Sequence, residues 1–78
     1  MGYDLNMINW NQCPEVEQVP GKGSGSWIFK GSRVPVSALF ENLEGGASVD
    51  QFLTWFHGVT RQQALGVIHV AESTLFDT

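Results

Sequence analysis

The stretch Lys30-Gly31-Ser32-Arg33-Val34-Pro35-Val36, running directly into Ser37-Ala38-Leu39-Phe40-Glu41-Asn42-Leu43-Glu44-Gly45-Gly46, decides how the chain is read. A basic turn containing a glycine leads into Val-Pro-Val. Val36, Leu39, Phe40 and Leu43 then fall at i, i+3, i+4 and i+7, the stripe of one helix face. Pro35 suits the first turn of that helix, where a missing N–H leaves no bond unmade. Gly45 and Gly46 end the helix, because glycine takes the left-handed cap conformation without steric cost.

Toward the C-terminus the pattern repeats twice. Ser48-Val49-Asp50-Gln51 reads as a capping box, with Val49, Phe52, Leu53 and Phe56 as the apolar stripe behind it. His57-Gly58-Val59 breaks that helix. Thr60-Arg61-Gln62-Gln63 reads as a second capping box, opening a helix to about Leu75 with Ala64, Leu65, Ile68, Ala71 and Leu75 toward the core. Val67 and Val70 widen that stripe enough to imply contacts beyond one chain. Two capped helices joined by a glycine-containing turn form a helix-turn-helix pattern.

Toward the N-terminus, Cys13-Pro14-Glu15-Val16-Glu17-Gln18-Val19-Pro20 alternates around Val16, a short strand limited by its prolines to an edge. Gly21 to Ser26 is a glycine- and serine-rich turn, and Trp27-Ile28-Phe29 a second strand. The turn lacks the G-x-x-x-x-G-K-[ST] order of a phosphate loop and leads into a strand instead of a helix, so it reads as a hairpin linker. The expected fold is mainly α within the α+β class: an N-terminal β-hairpin followed by a three-helix, homeodomain-like helix-turn-helix bundle. Residues 1–12 form an arm, and residues 13–78 one domain.

The 78 residues allow a single modest core. Cores of this size supply only about 3–5 kcal/mol of net stability, and such modules often gain more by dimerising. The net charge is −4, with Lys22, Lys30, Arg33 and Arg61 as the only lysines and arginines. Tight unaided DNA binding draws on many phosphate contacts and is disfavoured by that balance. A single cysteine, Cys13, excludes an internal disulfide and a cysteine zinc site. The N-terminus lacks a signal-peptide pattern, and no apolar run reaches the ~20 residues of a membrane span. A cytoplasmic protein without membrane partners is expected.

Gly31-Ser32-Arg33-Val34-Pro35-Val36 resembles the G-T-R-[IV]-P-V signature of the domain of unknown function 433 family. Leu39, Leu43 and Gly46 resemble its L-x-x-L-x-x-G segment. Ser48, Phe52, Leu53 and Phe56 resemble its next helix, and Val59-Thr60, Ala64 and Ala71-Glu72 its closing segments. The resemblance covers roughly residues 13–75. Departures are Gly25-Ser26-Trp27 before the second strand, Phe56-His57 in place of tyrosine-proline, and His69 in place of a closing tyrosine. The family consists of small prokaryotic proteins with a homeodomain-like helix-turn-helix, many regarded as antitoxins and some encoded beside PIN-type ribonuclease toxins. The resemblance therefore implies an antitoxin-like role: binding and silencing a toxin nuclease, with operator DNA as a second candidate partner.

Individual residues refine this expectation. Arg61, Gln62 and Gln63 with Thr60 open the helix that would enter a major groove, where Arg suits guanine and Gln suits adenine. Gln63 is equally explained as a capping residue. Arg33 stands before a helix as a phosphate- or nuclease-contacting residue, or else pairs with Glu41 or Glu44. Lys30 is a solvated hairpin end. Trp27 and Phe29 are assigned to an interface, since a lone hairpin cannot cover both its faces, and the strands are expected to pair or swap across a homodimer; Trp10, in an arm that could pack on a partner chain, and Trp55, off the Phe52–Phe56 stripe, are assigned to interfaces too. His57 and His69 lack metal-ligand spacing, and Cys13 lacks an activating base, so no metal, cofactor or catalytic residue is assigned. The rival to the antitoxin-like reading is a dimeric protein-interaction module that binds no DNA; an enzyme ranks last.

Overall fold

The structure, a computed structural model, describes residues 8–22 and 25–76, with side chains to residue 74. A 3-10 turn, Trp10–Gln12, precedes strand β1, Val16–Glu17, and strand β2, Ile28–Phe29. Helices α1, Val36–Glu44, α2, Val49–Trp55, and α3, Arg61–Phe76, follow. The fold is thus a two-stranded antiparallel hairpin and three helices, mixed α+β and mostly helical. Residues 1–7 of the expected arm and the side chain of Leu75 lie outside the described residues.

β2 is hydrogen-bonded along both edges. On one edge Val16 faces Phe29 and Glu17 faces Ile28, and the Lys30 N–H donates to the Glu15 carbonyl at 2.9 Å. On the other edge the Phe29 N–H donates to the Val34 carbonyl at 3.0 Å and the Val36 N–H to the Trp27 carbonyl at 2.9 Å. Ile28 and Pro35 form an isolated antiparallel bridge between these bonds. Pro35 occupies the non-hydrogen-bonded position, so its missing N–H breaks no rung. Val-Pro-Val therefore does two jobs, and the expectation for Pro35 needs correcting by one residue. It is the extended residue just before α1, with φ −69° and ψ 144°, instead of the first helical residue.

The reversal between these edges is tight. Gly31 has φ +81°, a conformation that strains any L side chain. The Ser32 hydroxyl donates to the Phe29 carbonyl at 2.8 Å and accepts from the Val34 N–H at 3.0 Å, which satisfies this buried side chain completely. The Gly31 N–H donates to Glu17 Oε2 at 2.9 Å, pinning the turn to β1.

The helices end as their sequences dictate. At the C-terminus of α1 the Gly46 N–H bonds the Leu43 carbonyl and the Ala47 N–H bonds the Asn42 carbonyl, both at 3.0 Å. With Gly46 at φ +98° this is a complete Schellman cap. At the start of α2 the Gln51 N–H donates to Ser48 Oγ at 3.1 Å and the Ser48 N–H to Gln51 Oε1 at 2.8 Å, closing the capping box in both directions.

Ile28 and Phe29 are both 0% exposed. Phe29 belongs to the main core cluster with Trp10, Val36, Leu39, Phe40, Phe52 and residues of α3. Its ring lies 6.1 Å from that of Phe52, which stacks on Phe56 at 4.6 Å. Trp10 sits 6.4 Å from Phe40. Truncating a ring held in this way typically costs about 3–5 kcal/mol, comparable with the whole stability expected of so small a domain. Both faces and both edges of β2 are covered within one chain. Burial of the strand thus creates no demand for a second copy.

α3 buries Ala64, Val67 and Ala71, with Ile68 and Val70 half-buried. Leu65, expected in the core, is 49% exposed. The buried stripe is narrower than the sequence implies, and α3 meets the Glu15 side chain, just ahead of β1, at Gly66. A Cβ added to Gly66 would stand 2.6 Å from Glu15 Cγ. That contact accounts for a glycine in mid-helix, where it forfeits about 1 kcal/mol relative to alanine.

The packing predicts a change of sign. Gly66→Ala should lower the urea midpoint in the parent chain. In a Glu15→Ala background the same change should raise stability by about 0.5–1 kcal/mol, since only the propensity gain remains. A Gly66→Ala effect unchanged between backgrounds would refute the close approach as its cause.

Candidate functional site

The residues singled out for binding lie on two segments, the 30–33 turn and the start of α3. Their placement begins with Thr60. Its side chain caps α3: the Gln63 N–H donates to Thr60 Oγ1 at 3.1 Å, and the Thr60 N–H donates to Gln63 Oε1 at 2.9 Å. The same Gln63 amide then reaches out of its helix. Its Nε2 donates to the Lys30 carbonyl at 2.9 Å. One side chain thereby caps α3 and fastens the hairpin turn to it.

A second contact closes the same junction. Gly58, in the turn between α2 and α3, lies so near the hairpin that an added Cβ would stand 3.3 Å from Ser32 Cβ. Ser32 and Lys30 thus both touch the α2–α3 segment. Arg33 and Gly31, their chain neighbours, are carried to the same end of the molecule.

This arrangement gathers the cations. Lys30 and Arg33 are exposed, and neither forms an ion pair with a described residue. Arg33 therefore pairs with neither Glu41 nor Glu44. Arg61 is exposed at the start of α3 and pairs with Asp50 on α2. Both partners are solvated, so the bridge contributes only about 0–1 kcal/mol. Lys22 Nζ lies 3.7 Å from Glu17 Oε2, the atom that also accepts from the Gly31 N–H. All four Lys and Arg residues of an acidic chain thus border one region, two of them offset by a carboxylate and two not.

The other expected site residues distribute differently. Gln62 is exposed and makes no hydrogen bond with a described side chain or backbone outside its helix. Thr60 and Gln63 are engaged internally, and Arg61 is paired. Among the aromatic residues assigned to interfaces, Trp10 and Phe29 lie in the core of this chain, Trp27 is half-buried, and Trp55 is 59% exposed. His57 and His69 are exposed. Among the described residues no group of three His, Cys, Asp or Glu side chains is placed to hold a metal ion. Sequence reasoning missed the Gln63–Lys30 link, because a capping glutamine carries no mark of where its second amide atom points. It also missed Lys22, whose tie to the turn depends on the register that sets Glu17 opposite Ile28.

Cys13 is buried. Burial raises its thiol pKa above the ordinary value; a hydrogen bond from the Glu15 backbone opposes that shift and the Glu15 charge reinforces it.

The hairpin turn is thus clamped to the α2–α3 segment through Gln63 and Gly58. The chain belongs to the family described as Protein of unknown function (DUF433), whose model matches residues 16–69. It is also similar to a solved structure, a DUF433 member protein from Anabaena variabilis ATCC 29413 determined at 2.00 Å resolution. The two share 26% sequence identity over 88% of this chain and 67% of that one, with a TM-score of 0.65. No curated protein matches the chain. Among the described residues no helix is long and apolar enough to cross a membrane.

Two measurements follow from this geometry. Gln51→Ala and Gln63→Ala each remove the side chain of a capping box, but only the second also releases the Lys30 carbonyl. Gln63→Ala should cost about 1 kcal/mol more by chemical denaturation, and it should speed amide exchange at Ser32 and Val34. Equal costs would show that the link to the hairpin contributes nothing. Separately, native Cys13 should react with iodoacetamide at pH 8 at least about 10-fold more slowly than in urea. The raised folded pKa stabilises the fold fully below the ordinary thiol pKa. That contribution is lost as pH rises through the folded value, so the protection should fade in alkali.

Proposed function

We propose that the protein is an antitoxin-like binding module. It acts by stoichiometric association with another protein, a PIN-type ribonuclease being the partner class implied by its family resemblance. The observation that carries this reading is the junction itself. Gln63 and Gly58 bring the 30–33 turn and the start of α3 into one exposed surface, held from the core outward. A preorganised surface loses little freedom on association, which is what a stoichiometric inhibitor needs.

Operator binding through Arg33, Thr60, Arg61, Gln62 and Gln63 is the second reading. What supports it is the same gathering of cations beside the start of a capped helix. Against it, Thr60 and Gln63 are already bonded within the chain and Arg61 faces Asp50. Only Gln62 remains unengaged at the start of α3 to read a base edge. Protein binding therefore ranks first. A homodimer is compatible with either reading, and Trp55 on α2 and Leu65 on α3 are the exposed apolar residues it could use.

Co-expression with the products of the flanking genes is the test. The expected result is a complex that co-elutes on gel filtration and silences a ribonuclease in it. Binding to the protein's own promoter should be weak, with a log–log salt slope shallower than about −2. No complex with any flanking product, together with tight sequence-selective promoter binding, would reverse the order of the two readings.

A further inference from the structure

The charge around the junction narrows the chemistry of the partner. Lys30 and Arg33 are exposed and unpaired among the described residues, three positions apart on a turn whose backbone is bonded to β1, to Phe29 and to α3. Nearby, Glu17 accepts from the Gly31 N–H of the turn and shares Lys22, and Asp50 shares Arg61 at the start of the helix whose Gln63 holds Lys30. The free positive charge is therefore small, localised and near carboxylates. We propose that this turn is a docking point for a carboxylate-bearing segment of a partner protein, received by the Arg33 guanidinium with Lys30 beside it.

Two anionic macromolecules compete for such a point, and magnitudes separate them. Nucleic acid affinity comes from many phosphates, each adding about 0.9 to the salt slope, and two free cations provide little of that. A duplex also presents charge continuously, so it would lie against Glu17 and Asp50 as well as Arg33. A protein can place one or two carboxylates opposite Arg33 and leave those acids in water. The guanidinium fork matches a carboxylate in two parallel hydrogen bonds. The fixed backbone of the turn leaves only the Arg33 side chain to be ordered on binding. This inference rests on the binding-module reading above and adds the partner's chemistry to it.

The test is a solution titration of the full chain, followed by amide shifts, with two probes: a ten-residue glutamate peptide and a 20-base-pair duplex. The peptide should perturb residues 30–34 and 61–62. The effect should weaken at least about 10-fold between low and physiological salt. Arg33→Glu and Lys30→Glu should each remove the perturbation while leaving the melting temperature in place, and Arg33→Lys should keep part of it. Absence of shifts at the turn, shifts unaffected by either charge reversal, or tighter binding of the duplex at the same amides would each overturn the proposal. Because neither probe is a native partner, a complex with a flanking gene product that survives Arg33→Glu would refute the carboxylate assignment and leave the module reading standing.

Discussion

Everything in this fold depends on two residues of β2 being enclosed from every side. Ile28 and Phe29 are fully buried, and the backbone from Trp27 to Lys30 bonds to residues 15–17 on one edge and to residues 34–36 on the other. A two-stranded hairpin alone is marginal in water. Here the third segment and the Phe52–Phe56 stack convert it into the interior of a domain. The constraint propagates forward, because Val36 is both bonded to Trp27, the residue just before β2, and the first residue of α1. The direction of α1 is therefore set by the hairpin instead of by a flexible linker. The turn at Gly31 must be tight for the same reason: only four residues separate Phe29 from Val34.

The helices were legible because their signals are local. The stripes at 36–43 and 49–56, the capping pairs Ser48–Gln51 and Thr60–Gln63, and the glycines after Glu44 each depend on neighbours within a turn or two, and each performs the role its spacing dictates. The hairpin was legible in outline but not in its second edge. Val-Pro-Val is a helix start when read alone, and only the tertiary fold shows that it is also a strand partner. Its proline is tolerated solely because of the rung it occupies. The same limitation explains Trp10 and Phe29. Aromatic residues on short elements look like interface residues until other parts of the chain come to cover them, and Phe52 lies 23 positions beyond Phe29.

Leu65 and Gly66 show the opposite error, in which a local pattern implied too much. The apolar run in α3 predicts a wide buried face, yet the buried stripe contracts to Ala64, Val67 and Ala71, and Gly66 makes room for the Glu15 side chain. Leu65 is left on the outer side, as Trp55 is on α2. The candidate site was legible only as a list. Arg33 and the Thr60–Gln63 segment lie almost thirty residues apart, and nothing in the linear sequence joins them. The joining atoms are the second amide nitrogen of Gln63 and the missing side chain of Gly58.

That economy bears on how the surface can work. Had Thr60, Arg61, Gln62 and Gln63 all been free, a helix presented to a nucleic acid groove would be the simplest account. Instead Thr60 and Gln63 cap the helix, Gln63 also holds the hairpin turn against it, and Asp50 offsets Arg61. What the outside meets is the turn that this clamping positions. A chain with twice as many acidic as basic residues gains nothing in general attraction for a polyanion. It can still present a small positive point, provided that point is rigid and its surroundings penalise a misplaced ligand. On the proposed reading, the nearby carboxylates would supply that penalty, disfavouring partners whose charge is spread out relative to those whose charge is placed opposite Arg33. Selectivity in such a site would come from where the negative charge sits on the partner more than from how much of it there is.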